Sequence, residues 1–252
     1  DVTSHAAQVV RSRKKRKSTG TLPICMLIQE RYGIDAVAHV LCQGFTKEET
    51  EDFLIDLNFA GVNNLFAVRG DEVNYETKLE HGRSRNLYAV DLVKQIRDMN
   101  NGVYLDNLVD AESTNFHIGV AGYPEKHFAA LDMETDVRYL KEKIEAGADY
   151  IVTQMFFDNE RYFSFVDRCR EAGIEVPIVP GLKVITSKRQ LRKLPEMFHV
   201  EIPEDLESGV MGSGGVVETG AAWTAKQAEG LLKYGIPSLH FYVMQNANPV
   251  HT

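Results

Sequence analysis

The sequence lacks any apolar run close to the roughly 18 residues that a membrane-spanning helix requires, and its first residues do not read as a secretory signal. It also has few cysteines: Cys25, Cys42 and Cys169 show neither the paired spacing of a disulfide framework nor that of a zinc site. An odd, scattered set of cysteines is typical of a reducing compartment. We therefore expect a cytoplasmic protein with buried free thiols and no membrane contact.

Acidic residues outnumber basic ones: the sequence has 36 Asp and Glu and 28 Lys and Arg, which gives a net charge of −8. This balance argues against a general attraction to nucleic acid or to an anionic membrane surface. One basic cluster, at residues 11–17, is the exception. It is either a nuclear-localisation or nucleic-acid patch or a solvated loop or helix face. The solvated face is favoured because no aromatic residue interleaves the basic side chains.

Several catalytic motifs are absent as well. No G-x-G-x-x-G turn follows a strand, and no G-x-S-x-G turn is present. The glycine-rich segment at residues 208–219 has no Lys followed by Ser or Thr, so it is not a phosphate-binding loop, and we interpret it as a flexible or poorly specified connection. The histidines of the predicted strands and loops lack neighbouring ligands at metal-site spacing, so no metal is expected.

What the sequence does contain is a regular alternation of apolar runs and helical patterns. Thr46 and Glu49 have the spacing of a capping box at the start of one helix, and Asp136 is the predicted N-cap of another. Val2 is the tail of a further strand. We predict strands at 36–42, 63–68, 116–121, 150–156, 176–181 and 238–244, and helices at 46–60, 88–99, 136–146, 159–172, 188–194 and 226–234.

Strict alternation of strands and helices implies a parallel sheet, because each crossover helix returns the chain to the same edge. Eight such units close a (βα)8 TIM barrel. With the tail at Val2 the sequence shows seven strands. We therefore expect an α/β fold, a single catalytic barrel domain over residues 1–252 that lacks the first βα unit and the start of the second strand. An open doubly wound sheet is the alternative, and the missing glycine-rich turn counts against it.

Polar side chains follow or interrupt these predicted strands, which is where ligands bind in such barrels. In the clearest case the apolar run at residues 66–68 stops at Arg69, Gly70 and Asp71. The full set is Thr3, His39, Arg69, Asp71, Tyr123, Glu125, Gln154 and Gln245.

These residue types favour hydrogen bonding and anion binding. Arg69 and Lys143 can neutralise a diphosphate, Tyr123 can lie against a flat ring, and Asp71 and Gln154 can bond the polar edge of a heterocycle. The residues alone thus predict a barrel enzyme with a planar, phosphate-bearing organic cofactor. Structural alternatives stay open: a core role for His39, a solvated ion pair for Lys143, a backbone cap for Gln154 and a plain turn at Tyr123.

With these residues in view, the chain resembles the methylenetetrahydrofolate reductase family, in its bacterial-type catalytic form. The matching motifs are spread in the family's order over nearly all of the chain. They are AHVLC at 38–42, FAVRGD at 66–71, VAGYPEKH at 120–127, LKEKIEAGADYIVTQMFF at 140–157, PGL at 180–182 and LHFY at 239–242.

The resemblance implies a flavin-dependent oxidoreductase of one-carbon metabolism, acting on a CH–NH donor group. In this family FAD takes electrons from NAD(P)H and passes them to 5,10-methylenetetrahydrofolate in ping-pong order, which yields 5-methyltetrahydrofolate for methionine biosynthesis. The expected small-molecule partners are therefore NAD(P)H and the folate. We also expect a homo-oligomer.

The resemblance also implies roles for individual residues. Asp71 and Gln154 would be catalytic, and the family's general-acid glutamate is expected upstream of residue 1. Contacts to the substrates would come from Thr3, Asp71, Gln154, Gln190 and Leu194. Contacts to FAD would come from Ser4, His39, Arg69, Gly70, Asp71, Tyr88, Ala89, Tyr123, His127, Ala130, Asp136, Tyr139 and Lys143.

Two other functions remain possible from the sequence. One is another phosphate-binding barrel enzyme such as an aldolase, for which Lys183 is the candidate Schiff-base lysine. The other is a non-catalytic flavin- or folate-binding relative. A yellow, flavin-containing purified protein would exclude the aldolase. An assay for methylenetetrahydrofolate reduction would distinguish the enzyme from the non-catalytic relative.

Overall fold

The computed structural model describes residues 1–2, 9–10, 13–14, 20–70, 84–243 and 247–251. They form two compact units. The first contains residues 1–120 and 142–149, and the second contains residues 121–141 and 150–252, so that the boundary crosses one strand and one helix. That the chain works as a single catalytic domain stays a prediction.

The first unit is built from parallel strands and covering helices. Strand β3 pairs in parallel with β4, and β4 with β5. Val2 bridges to Ala38 beside them, which confirms the predicted strand tail. The elements are β1 (Val9–Val10), β2 (Arg13–Lys14), α1 (Thr21–Tyr32), β3 (Val37–Leu41), α2 (Lys47–Phe59), β4 (Asn64–Val68), α3 (Ala89–Asn100) and β5 (His117–Gly122).

Helix α2 begins as the sequence predicts. The Thr46 hydroxyl accepts a hydrogen bond from the Glu49 backbone N–H at 3.1 Å, and the Glu49 carboxylate accepts one from the Thr46 N–H at 2.7 Å. This capping box satisfies two of the helix's otherwise unpaired N–H groups. Leu54 and Leu57 are fully buried, so the face of α2 that carries them packs against the rest of the unit.

The second unit continues the same alternation. Strand β6 pairs in parallel with β7, and β7 with β8. Its elements are α4 (Met133–Glu145), β6 (Tyr150–Met155), α5 (Asn159–Glu171), β7 (Ile178–Leu182), α6 (Gln190–Phe198), α7 (Glu204–Met211), α8 (Val216–Lys233), β8 (His240–Phe241) and α9 (Asn248–His251).

One predicted helix start is wrong. Asp136 is not the N-cap of α4, because the helix already begins at Met133. The Asp132 carboxylate caps it instead, accepting a hydrogen bond from the Thr135 N–H at 2.8 Å. Both aspartates precede the apolar face, and the sequence pattern does not distinguish them. The carboxylate of Asp136 is thereby left for a role in the loop before the helix.

The predicted flexible connection at residues 208–219 is also wrong. Helices α7 and α8 occupy most of it and leave residues 212–215 between them. Leu206 and Val210 bury the inner face of α7. Gly220 lets α8 approach the loop that follows β7, because a Cβ there would overlap the Ile185 carbonyl oxygen. Within the segment, Gly209 also serves close packing, because a Cβ there would lie 3.1 Å from the Thr219 Cγ2 on α8.

Each unit pairs its parallel strands in chain order, with no reversal among the described pairs. A doubly wound sheet requires such a reversal, so the alternation is that of a (βα)8 barrel and the predicted fold class is confirmed. The three cysteines are buried free thiols, as expected. Among the described residues, no helix combines the length and the apolar character needed to cross a membrane.

Candidate functional site

In the first unit, His39 is the polar residue within β3. Its ring lies 5.0 Å from the ring of Phe66 on the paired strand β4, centroid to centroid. Its Nε2 is 3.7 Å from an Asp1 carboxylate oxygen, and no described residue forms a hydrogen bond with it. Burial lowers the pKa of His39 to about 4, so the imidazole is neutral near pH 7. A buried nitrogen of this kind can bond to a ligand.

The loop after β4 brings together three more of the predicted residues. The Arg69 guanidinium carbon lies 5.3 Å from the centre of the Tyr88 ring. Gly70 has φ of 82°, a left-handed conformation that other residues adopt at a cost, and a Cβ there would come within 3.3 Å of the Gln43 Cβ. Tyr88 immediately precedes Ala89, the first residue of α3. A guanidinium beside a helix N-terminus is favourable for a phosphate group.

In the second unit, the turn after β5 gathers four predicted residues around one loop. The Tyr123 and His127 rings pack edge to face at 4.6 Å. The Asp136 carboxylate accepts a hydrogen bond from the His127 N–H at 2.8 Å, and the Ala130 N–H donates to the His127 carbonyl at 3.0 Å. The Lys126 ammonium donates a hydrogen bond across the loop to the Ala130 carbonyl oxygen at 2.6 Å. The fold itself holds this part of the site in place.

Helix α4 carries the remaining predicted cofactor contacts. Asp136, Tyr139 and Lys143 are spaced by three and four residues, which places them on one face of the helix. Tyr139 is 48% exposed, with the Arg138 guanidinium carbon 4.9 Å from its ring centre. An exposed aromatic ring and an ammonium one turn apart can contact different parts of one ligand.

Gln154 lies in an irregular part of β6. Val152 pairs with Val179 and Met155 pairs with Gly181, so two residues of β6 stand opposite one residue of β7. This is a β-bulge, which redirects a side chain from the regular strand pattern. The half-buried Gln154 side chain accepts a hydrogen bond at its Oε1 from the Met155 N–H at 3.0 Å.

The two predicted substrate contacts on α6 have structural roles. The Gln190 side-chain oxygen accepts hydrogen bonds from the Thr186 N–H at 2.7 Å and the Ser187 N–H at 3.2 Å, and so caps the preceding loop. Leu194 is 6% exposed and belongs to an apolar cluster. That cluster also contains Met155, Phe157, Ile185, Val200, Leu206 and Val210. Contact of Gln190 and Leu194 with a substrate stays a prediction.

Two further groups near these strand ends were singled out from the sequence, Glu125 as a polar strand-end residue and Lys183 as the candidate Schiff-base lysine. Glu125 accepts a hydrogen bond from the Glu201 N–H at 2.6 Å, and burial raises its pKa to about 7. Lys183 is 7% exposed and donates to the Tyr242 carbonyl oxygen at 2.7 Å, and burial lowers its pKa. Both follow predicted strands, so their positions were visible in the sequence while their burial was not.

Thr3, Ser4, Asp71 and Gln245 lie outside the described residues. Within the described part of the chain, no group of three His, Cys, Asp or Glu could hold a metal ion. The second unit also has a surface cleft of about 400 Å³ with a charged lining. It is lined by Pro124, Met133, Asp158, Glu160, Arg161, Ser164 and Arg168, none of which is a predicted site residue.

The described residues fit a planar cofactor with a diphosphate. The buried Nε2 of His39 has no hydrogen-bond partner among them, although buried polar atoms are normally paired. Arg69 lies beside Tyr88, the residue that precedes the first turn of α3, and Gly70 allows a close backbone approach. FAD offers polar ring edges and a diphosphate, which match these groups.

The fold defines an α/β barrel protein with these polar side chains near its strand ends, where ligands bind in barrels of this class. The sequence profile described as methylenetetrahydrofolate reductase matches residues 1–252. The chain therefore belongs to the methylenetetrahydrofolate reductase family, as its motifs predict.

Individual relatives agree with the family. The 5,10-methylenetetrahydrofolate reductase of Pectobacterium carotovorum subsp. carotovorum is 32% identical over 231 residues, which are 90% of this chain and 71% of the relative. Methylenetetrahydrofolate reductase 1 of Schizosaccharomyces pombe is 33% identical over 225 residues, which are 88% of this chain but 35% of the relative. The chain thus spans most of the bacterial relative and a much smaller share of the fission-yeast one.

A solved structure shares the fold. It is described as an uncharacterized protein from Clostridium thermocellum that binds two copies of 5-methyl-5,6,7,8-tetrahydrofolic acid. It matches with a TM-score of 0.57 at 18% sequence identity, over 85% of this chain and 69% of that chain. At this identity the likeness concerns the fold alone, and it agrees with the barrel class.

Proposed function

We propose that the protein reduces 5,10-methylenetetrahydrofolate to 5-methyltetrahydrofolate, with NAD(P)H as the electron donor and FAD as the resident cofactor. Membership in the methylenetetrahydrofolate reductase family over residues 1–252 carries this proposal. The two relatives are named as reductases of methylenetetrahydrofolate, and the polar residues at the strand ends are of the types that the proposed reaction uses.

FAD binding would use the charged, aromatic and imidazole groups of the predicted site. When bound, the flavin supplies a ring that accepts electrons from one substrate and returns them to another. Arg69 and Lys143 would balance the charge of the diphosphate, and the face of Tyr123 would lie against a flat ring. The neutral His39 would form a hydrogen bond without placing a charge among buried strands, which its lowered pKa favours.

Asp71 would act through its negative charge. Its role follows from the resemblance, since the residue lies outside the described part of the chain. A carboxylate stabilises a positive charge close to it, so Asp71 would favour the cationic, ring-opened form in which the folate accepts electrons. The same charge disfavours accumulation of negative charge on a neighbouring ring.

Gln154 would contact both substrates in turn. A glutamine amide both donates and accepts hydrogen bonds, so it can bind either the carboxamide of a nicotinamide or the polar edge of a pterin. One site that serves two substrates alternately requires the first product to leave before the second substrate binds. This order is the ping-pong scheme.

The aldolase alternative is weakened by the surroundings of Lys183. A Schiff-base lysine needs its amine available to a substrate carbonyl. The Lys183 amine is instead buried and hydrogen-bonded to the Tyr242 carbonyl at 2.7 Å. The non-catalytic relative remains the main competing function, and turnover decides between the two.

Steady-state kinetics test the proposal. Rates measured with varied NADH or NADPH at several folate concentrations should give parallel double-reciprocal lines, with 5-methyltetrahydrofolate as the product. Gln154→Ala should raise the KM for both substrates by roughly tenfold, because each loses a hydrogen bond. Gln29→Ala, which removes a surface bond to the Gly61 carbonyl, should leave both KM values unchanged. Absence of the folate product would overturn the proposal.

A further inference from the structure

The bulge in β6 has an identifiable cause in the facing strand. Thr153 and Gln154 stand opposite the single residue Pro180 of β7. Proline has no backbone N–H, so the strand ladder loses a donor at this position. A carbonyl in a buried strand needs another donor to replace it. The bulge therefore depends on groups outside the strand pair.

Tyr242, just after β8, supplies the replacement donor. Its hydroxyl donates to the Thr153 carbonyl oxygen at 2.9 Å, and this carbonyl belongs to the peptide that joins Thr153 to Gln154. On the other side, the Gly181 N–H donates to the Thr153 hydroxyl oxygen at 2.9 Å. The completely buried Thr153 is thus held through both its backbone and its side chain.

The Tyr242 ring reaches Thr153 because Gly181 leaves room for it. A Cβ on Gly181 would lie 2.7 Å from the Tyr242 Cε2 and would overlap the Thr153 carbonyl oxygen. The backbone of Tyr242 is fixed as well: the Lys183 ammonium donates to its carbonyl at 2.7 Å, and its N–H donates to the Leu182 carbonyl at 2.9 Å. Tyr242 is therefore anchored at both ends.

We propose that Tyr242, anchored by Lys183, is a positioning residue that holds the β6 bulge and thereby orients Gln154 toward the substrates. The inference rests on the proposed function, in which Gln154 binds both substrates. Without the hydroxyl, the Thr153 carbonyl loses the donor that Tyr242 supplies, and the Thr153–Gln154 peptide can tilt from its position although the Thr153 side chain stays bonded to the Gly181 N–H. The Gln154 amide then samples orientations that do not match either substrate.

Tyr242→Phe tests this role against a matched control. Tyr162 on α5 is also a tyrosine whose hydroxyl donates to a strand carbonyl, that of Ile178 at 2.7 Å, but Ile178 begins β7 and does not adjoin Gln154. Both substitutions remove one hydroxyl–carbonyl hydrogen bond, so both should lower the melting temperature by roughly 2–4 °C. Tyr242→Phe alone should raise the KM for NAD(P)H and folate, by roughly five- to tenfold, with FAD content unchanged.

A double-mutant cycle adds a stricter criterion. If Tyr242 acts through Gln154, the KM effects of Tyr242→Phe and Gln154→Ala should be strongly non-additive. Once Gln154→Ala has removed the side-chain amide, Tyr242→Phe has no amide left to misorient. Additive effects would contradict the inference. Equal KM values in the Tyr242→Phe and Tyr162→Phe proteins would also contradict it.

A measurement without turnover separates this inference from the proposed function. The NMR resonances of the Gln154 side-chain amide should shift or broaden in Tyr242→Phe and stay unchanged in Tyr162→Phe. If the parent protein forms no 5-methyltetrahydrofolate, the proposed function fails, and these resonances still decide whether Tyr242 orients Gln154. Should Tyr242→Phe not fold, Lys183→Met removes the donor to the Tyr242 carbonyl and must move the same resonances, or the inference is wrong.

Discussion

The two units differ in how far their predicted site residues are hydrogen-bonded to other groups of the protein. In the first unit, the buried Nε2 of His39 has no hydrogen-bond partner among the described residues, and the Arg69 guanidinium lies against an exposed tyrosine ring. In the second unit, the loop from Tyr123 to Asp136 and the β6 bulge at Thr153 are tied by hydrogen bonds between 2.6 and 2.9 Å. The second unit therefore preorganises its side chains, while the first holds a buried polar atom that a ligand could satisfy.

The largest expected effect concerns the close packing of the second unit. Gly181→Ala should destabilise the protein by about 3 kcal/mol, because the new Cβ would overlap the Thr153 carbonyl and press on the Tyr242 ring. Urea unfolding measures the loss.

Gly235→Ala is the matched control for that substitution. Gly235 has φ of 97°, and no atom lies within 4 Å of the position that an added Cβ would take. The alanine there adds only backbone strain, about 1 to 2 kcal/mol. Gly181 is not among the glycines with positive φ, so its cost should come from the overlap, and a loss at Gly181 no larger than that at Gly235 would contradict the prediction.

The buried imidazole of the first unit predicts the next effect. Folding lowers the pKa of His39 from its ordinary value of 6.5 to about 4. Between these pH values the imidazole is protonated in the unfolded chain and neutral in the folded chain. Stability should therefore fall as the pH drops from 6.5 toward 4, by about 3 kcal/mol in total for this group. His39→Gln should remove this slope in urea unfolding free energies measured across that range. His117→Gln, at an exposed histidine of β5, should retain it.

In the second unit, Glu125 should make the free energy of unfolding depend on pH with the opposite sign. Burial raises the Glu125 pKa from 4.5 to about 7, so the folded chain keeps a proton that the unfolded chain releases. The contribution of Glu125 to stability should therefore decline as the pH rises from 4.5 to 7. Partial exposure makes this effect smaller than that of His39. Glu125→Gln should flatten the decline and Glu160→Gln, at an exposed glutamate of α5, should not; an unchanged slope in Glu125→Gln would contradict the assignment.

Much of this fold is predictable because its signals are local. The capping box at Thr46 and Glu49 and the apolar runs of β3 to β7 depend on residues close in sequence. The start of α4 shows the limit, since Asp132 and Asp136 both precede an apolar face and only the chain's path selects Asp132. The prediction for the glycines near α7 and α8 was wrong because close helix packing and flexibility use the same residue.

The residue types of the site could be predicted from the sequence, but the contacts and the burial of those residues could not. Family motifs led to Tyr123, His127 and Asp136, which the structure brings into one loop. The bond between Tyr242 and Thr153 joins residues 89 positions apart, and no periodic pattern in the sequence reports such a contact. Burial, which shifts the pKa values of His39 and Glu125, likewise depends on the whole fold.

Anaerobic visible spectroscopy of the FAD-loaded protein tests the central claim most directly. The account predicts that the protein binds FAD, that NADH or NADPH bleaches the flavin absorbance, and that 5,10-methylenetetrahydrofolate then restores it with one equivalent of 5-methyltetrahydrofolate formed. A protein that stays colourless with added FAD, or whose bleached absorbance does not return on addition of the folate, would contradict it.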